Sequence, residues 1–125
     1  MVRRSDEAPG IFHVNWFQTD EAGNYLWPGF GENLRVLRWI LGRCRGEAAA
    51  VRTPIGYLPT SESLDLPKPD LPRKNLERLL SVDREAWNRE LEEQAVFFRK
   101  FGDRLPTELW DEHRRLSLRL NGPDP

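Results

Sequence analysis

Trp16, Phe17, Tyr25, Trp27 and Phe30 bring five aromatic rings into one short stretch, which continues through Gly29-Phe30-Gly31-Glu32-Asn33 into an apolar-periodic segment. Flat rings followed by glycines and a helix start suit a planar heterocycle. A nucleobase stacked on an aromatic side chain gains about 1–3 kcal/mol. Stacking alone does not separate one purine from another, so discrimination requires hydrogen bonds to the ring edge, where an unpaired buried polar group costs about 1–3 kcal/mol. Asn33 offers both a carbonyl acceptor and an amide donor for that purpose. Gly29 and Gly31 permit close backbone approach. Aromatic clusters also build cores, and Trp27 and Trp39 are read as core; Trp16 fits either role.

Other chemistries find little support. The chain has no GxxxxGK[ST] phosphate loop. His13 and His113 are far apart in sequence, and neither has a carboxylate or cysteine at metal-ligand spacing, so each reads as a packed or solvated histidine. Cys44 is the only cysteine, which excludes an internal disulfide; at a helix end between Arg43 and Arg45 it reads as a buried helix residue. The acidic run from Arg89 to Gln94 reads as a solvated helix face. No catalytic constellation emerges.

The elements that position these residues follow from periodicity and punctuation. Ile11–Phe17 is rich in β-branched and aromatic types and predicts a strand. Gln18–Asn24 is a charged turn, and Tyr25–Trp27 pairs back as a short second strand that Pro28 ends. Asn33 is the expected N-cap of a helix with Leu34, Leu37, Ile40 and Leu41 at helical spacing, and Gly46 breaks it. Residues 51–72 are punctuated by prolines and predict an extended connection. Leu76, Leu79 and Leu80 mark a short helix. Ser81 is the expected cap of a longer helix that carries Trp87, Leu91, Ala95 and Phe98 on one face and stops at Gly102. Pro106 opens a last helix with Leu109, His113, Leu116 and Leu120.

At 125 residues the chain is one domain at most, and its 19 basic and 20 acidic residues leave no global field to attract nucleic acid or an anionic membrane. No apolar run reaches the roughly 20 residues of a membrane span, and the N-terminus lacks the apolar core of a secretion signal. These features lead to the expectation of a cytoplasmic protein.

Two runs are similar to the hallmark of GTP-dependent phosphoenolpyruvate carboxykinase: Phe12-His13-Val14-Asn15-Trp16-Phe17 and Leu26-Trp27-Pro28-Gly29-Phe30-Gly31-Glu32-Asn33. Thr53-Pro54-Ile55-Gly56-Tyr57-Leu58-Pro59, Leu79–Glu85 and Phe101–Pro106 resemble later landmarks of the same family. The resemblance runs from about Ile11 to about Leu120. It implies an α+β fragment of a larger α/β enzyme: a short N-terminal β-hairpin, one helix, a long extended connection, then two to three C-terminal helices. Residues 1–10 would form a flexible lead-in, 11–122 the C-terminal part of the nucleotide-binding domain, and 123–125 a tail.

By resemblance, Trp16, Phe17, Tyr25 and Phe30 wall a guanine pocket, with Phe17 and Phe30 as stacking faces. The Phe30-Gly31-Glu32-Asn33 run contacts the base, and Asn33 reads its edge. Tyr25 replaces an expected phenylalanine, and Gln18-Thr19 stands where basic residues are usual. The implied parent reaction converts oxaloacetate and GTP to phosphoenolpyruvate, CO2 and GDP in gluconeogenesis, with manganese or magnesium. The family's phosphate loop and metal ligands lie upstream of the matched segment, so this chain is expected to hold no metal ligand, to need the missing upstream part as partner, and to be inactive alone. Two alternatives are a non-catalytic guanine-nucleotide binder and a helical interaction module.

Overall fold

A computed structural model describes residues 9–66 and 72–123. The lead-in up to residue 8, residues 67–71 of the connection, and the tail beyond Pro123 lie outside the described residues. The described elements are α1 (Asn33–Cys44), β1 (Ala50–Thr53), β2 (Gly56–Pro59), α2 (Arg73–Leu79), α3 (Arg84–Arg99) and α4 (Thr107–Asn121), with single 3-10 turns at Phe30–Glu32 and Gly102–Arg104. This is the α+β composition expected of the sequence. The chain forms two compact units: Met1–Ala49 with Pro59–Leu80, and Ala50–Leu58 with Ser81–Pro125.

In the first unit, Ile11–Phe17 is irregular rather than a strand. Strand propensity is expressed only where a neighbour completes the ladder. Here the Asn15 Oδ1 instead accepts the Phe17 N–H at 3.0 Å, a local bond that competes with strand pairing. The expected N-terminal hairpin contracts to one antiparallel bridge, Thr19 with Tyr25, supported by Leu26 N–H to the Gln18 carbonyl at 2.9 Å. Asp20 holds the turn between them: its Oδ1 accepts from the Ala22 and Asn24 backbone N–H groups, each at 2.9 Å. Gly23, at φ 84°, supplies the left-handed residue.

Asn33 is the first residue of α1, and Glu32 occupies the N-cap position without a capping side-chain bond. The expected Asn33 cap fails because its side chain is engaged elsewhere. The buried residue of α1 is Trp39, whose indole N–H donates to the Ala49 carbonyl at 2.9 Å and whose ring meets Phe12 edge-on. Val36 and Ile40 are half-buried beside it, whereas Leu34, Leu37 and Leu41 are exposed. The apolar repeat therefore splits between a packed face and a bare stripe. Cys44 is exposed, not buried, because it falls on the final turn of α1 away from Trp39.

In the second unit, the regular hairpin is β1–β2, inside the stretch expected to be an extended connection. Pro54 and Ile55 form its two-residue connection, where the fixed φ of proline suits a tight turn. The Thr53 hydroxyl donates to the Gly56 carbonyl at 2.7 Å to close it. Arg119 on α4 donates to the Pro54 carbonyl at 2.8 Å, tying the turn to the helices. α3 begins two residues later than Ser81 would place it: Asp83 is the N-cap and accepts the Ala86 N–H at 3.0 Å. α3 and α4 pack through buried Leu91 and Leu120 and an edge-on Phe98–Trp110 pair with centroids 5.3 Å apart. His113 completes that cluster, with Nε2 at 2.8 Å from the Leu91 carbonyl. Arg89, Glu90, Glu92 and Glu93 face solvent, as the acidic run predicts.

Candidate functional site

The segment Trp16–Asn33 lies wholly within the first unit. Its anchor is the adjacent pair Leu26 and Trp27, both buried. Trp16 tilts against Trp27 with ring centroids 5.6 Å apart, so this partly buried ring is tied to the anchor. Trp27 and Trp39 are core residues, as their sequence positions suggest.

The remaining rings are displayed rather than packed. Phe17 is 72% exposed and Tyr25 64% exposed, and they meet edge-on at 6.1 Å across the bridged turn. Phe30 is 92% exposed at the start of the 3-10 turn. Isolated exposed apolar residues are ordinary on protein surfaces. Phe17 and Tyr25 form an exposed pair, and Phe30 stands exposed three residues beyond buried Trp27.

Gly29 and Gly31 flank Phe30. Gly29 has φ 116° and ψ −167°, a conformation open essentially to glycine alone. A side chain at either glycine would meet no atom within 4 Å, so the backbone here borders open space.

Asn33 is fixed by a contact that its spacing from Trp27 does not announce. The Trp27 indole N–H donates to Asn33 Oδ1 at 2.7 Å. The Asn33 backbone N–H bonds to the Phe30 carbonyl. A signal for the side-chain bond existed: a buried tryptophan needs an acceptor for its N–H, and Asn33 is the polar side chain that opens the next helix. Glu32 pairs with Arg35, which also donates to the Asp65 carbonyl, so the carboxylate beside Asn33 is neutralised in place.

The charge in the neighbouring turn is acidic. The Asn24 backbone N–H, aided by the Asn24 side chain and the Ala22 N–H, holds the Asp20 carboxyl below its ordinary range. A hydrogen bond from Arg78, 2.9 Å away, does the same for Glu21. Gln18 and Thr19 add no cation. A separate groove of about 460 Å³ lies along α1 against Leu64 and Asp65, lined also by Arg35, Trp39 and Gly42, and shares no residue with Trp16–Asn33.

Among the described residues no three His, Cys, Asp or Glu side chains cluster as a metal site would require. No described helix is long and apolar enough to cross a membrane.

The profile of the phosphoenolpyruvate carboxykinase C-terminal P-loop domain matches residues 1–119. The chain belongs to this family. The match begins at residue 1, ahead of the Ile11 start read from the motifs. Among proteins named phosphoenolpyruvate carboxykinase [GTP], the chain is 49% identical over 118 residues to that of Neocallimastix frontalis, covering 92% of this chain and 19% of the relative. It is 44% identical over 115 residues to that of Arthrobacter sp. (strain FB24), covering 92% and 19%. The carboxykinase of Treponema pallidum (strain Nichols) is 42% identical over 122 residues, covering 97% and 20%. The chain thus spans about a fifth of the length of these relatives. Within the carboxykinase C-terminal domain, the matched part includes the whole aromatic and glycine segment described above.

Proposed function

We propose that this chain supplies the guanine-binding wall of a GTP-dependent phosphoenolpyruvate carboxykinase, with Phe17 and Phe30 as stacking faces, Tyr25 and Trp16 as walls, and Phe30–Asn33 as the run against the base. The observation that carries the reading is the exposure of Phe17, Tyr25 and Phe30 in the one segment that also holds open-backed Gly31 and the anchored Asn33 amide, in a chain of this family. Soluble proteins spend exposed aromatic area where a ligand or partner covers it. The edge-on Phe17–Tyr25 pair leaves ring faces free for a third aromatic system.

The reaction served would be decarboxylation of oxaloacetate coupled to phosphoryl transfer from GTP, giving phosphoenolpyruvate, CO2 and GDP. Phosphoryl transfer requires a phosphate cradle, positioned cations and a divalent metal. The sequence has no Walker-type loop, and the described residues form no metal cluster. The chain alone is therefore inactive in this reading, and the upstream part of the enzyme is its partner. The exposed Leu34, Leu37 and Leu41 stripe on α1 supports burial against a larger body. With base stacking and little phosphate contact, affinity for GDP falls in the millimolar range, about −4 kcal/mol.

Titration of the purified chain with GDP and ADP, followed by tryptophan fluorescence from Trp16 and Trp27, tests the reading. A saturable response to GDP that exceeds the response to ADP is expected. Equal responses to both would remove guanine recognition from this segment.

A further inference from the structure

The Trp27–Asn33 bond decides which end of the Asn33 amide remains available. Indole Nε1 is a donor only, so the atom facing it at 2.7 Å must be the amide oxygen. The orientation is thus dictated by chemistry: with the two ends exchanged, two donors would face each other. Asn33 Nδ2 has no hydrogen-bond partner among the described residues, and its residue is half-buried. One end of the amide is locked and the other end is a pure donor.

We propose that Trp27 is a positioning residue for base selectivity, holding Asn33 so that it presents an N–H donor and withholds its carbonyl. This deepens, and rests on, the reading of Trp16–Asn33 as a purine site. A donor pairs with a carbonyl at the purine 6-position. It faces the exocyclic amine of an adenine with donor against donor. A freely rotating asparagine would offer its oxygen to that amine and accept either base. The selectivity therefore lies in the fixed rotamer, and the buried indole fixes it. Trp27 does this from a buried position: its ring packs with Trp16, and its exposure is 8%.

The test compares binding of GDP and ADP to the full chain and its variants by NMR titration. In Trp27→Phe the ring stays and the N–H goes; the ratio of GDP to ADP affinity should fall about tenfold, with most of the change in ADP binding. In Asn33→Asp the acceptor for Trp27 stays and the donor goes; the ratio should fall by at least as much. The double variant Trp27→Phe/Asn33→Asp should lose no more selectivity than Asn33→Asp alone. Unchanged selectivity in Trp27→Phe, or additive losses in the double variant, would overturn the proposal and leave the purine site standing. Absence of guanine preference in the unsubstituted chain would overturn the site itself.

A measurement that does not depend on the stability of Trp27→Phe is hydrogen exchange of the indole N–H. It should be slow in the unsubstituted chain and accelerate severalfold in Asn33→Leu. Equal rates in the two would show that the bond fixes nothing and would also overturn the proposal.

Discussion

Arg84, the first residue of α3, donates from Nη1 to the carbonyl of Leu120 in the last turn of α4, 36 residues on, at 2.6 Å. The same nitrogen lies 3.2 Å from the Gly122 carbonyl. The final carbonyls of a helix lack intrahelical partners, and a cation there also meets the negative end of the helix dipole. One side chain thus closes α4 and binds it to the start of α3. The reciprocal amide pair of Asn88 and Asn121, at 3.2 and 3.1 Å, repeats the connection one turn away.

Arg84→Met should therefore destabilise the second unit by about 1.5–3 kcal/mol, the range for a hydrogen bond to a charged group. Chemical denaturation followed by the near-ultraviolet signal of Trp87 and Trp110 measures it. The GDP response should be unaffected, since Trp16–Asn33 belongs to the other unit.

Leu120, at 1% exposure, is the most deeply buried large side chain among the described residues. Leu120→Ala should cost about 2–5 kcal/mol, with the value set by how far α3 and α4 close around the cavity. The same denaturation experiment reports it, and Leu118→Ala, at an exposed position one turn face away, should cost less than about 0.5 kcal/mol.

Gly29→Ala places a methyl group where there is ample space but a forbidden backbone conformation. The expected cost is about 1–3 kcal/mol of strain, or a rearranged Phe30–Glu32 turn. Loss of the GDP response in a chain that keeps its helical circular dichroism would show that the turn had moved. An unaltered response would mean that the Gly29 conformation is not needed for binding.

Phe30→Ala should leave thermal stability unchanged, because the ring is almost fully exposed. It should weaken GDP binding by the stacking contribution of about 1–3 kcal/mol. In enzyme completed with its upstream part, use of GTP should fall far more than use of oxaloacetate. Equal loss for both substrates would remove Phe30 from the base site.

The Asp20 turn carries a pH dependence whose sign follows from its depressed carboxyl. A carboxyl with a folded pKa below its unfolded value contributes stability above the unfolded value and loses it as pH falls through the folded value. The turn should thus be intact at neutral pH and lose this support only once pH falls below the ordinary carboxylate range, where the folded Asp20 carboxyl takes up its proton. The Ala22 and Asn24 amide resonances, whose N–H groups Asp20 accepts, should move together in that window. Asp20→Asn should abolish the transition.

The helices were legible because their signals are local. Trp87, Leu91, Ala95 and Phe98, and then Leu109, His113, Leu116 and Leu120, recur at helical spacing, and Pro106 and Gly46 punctuate the chain where α4 opens and α1 closes. The β-structure was misplaced because strand formation depends on a neighbour. Ile11–Phe17 has strand-forming residues but no ladder, while the proline-rich Thr53–Pro59 run forms the hairpin through one tight turn. Likewise, the aromatic segment was visible as a composition, but its division into a buried Leu26–Trp27 anchor and exposed rings was not. Period alone does not say which ring faces in. The Trp27–Asn33 bond joins residues six apart across an irregular turn, a spacing that no helical or strand pattern marks.

Neither compact unit is a continuous stretch of chain. The second unit's Ala50–Leu58 segment is emitted between the two halves of the first, and its own helices follow only after Ser81. During synthesis, β1 and β2 emerge well before α4, yet the turn carbonyl of Pro54 must wait for Arg119, 65 residues later, to receive its hydrogen bond. The ribosome thus delivers the hairpin long before its stabilising partner, and the interval belongs to the completion of the first unit. Vectorial folding therefore favours assembly of the aromatic segment first, with the helical pair locking the hairpin only as the last turns of α4 leave the exit tunnel.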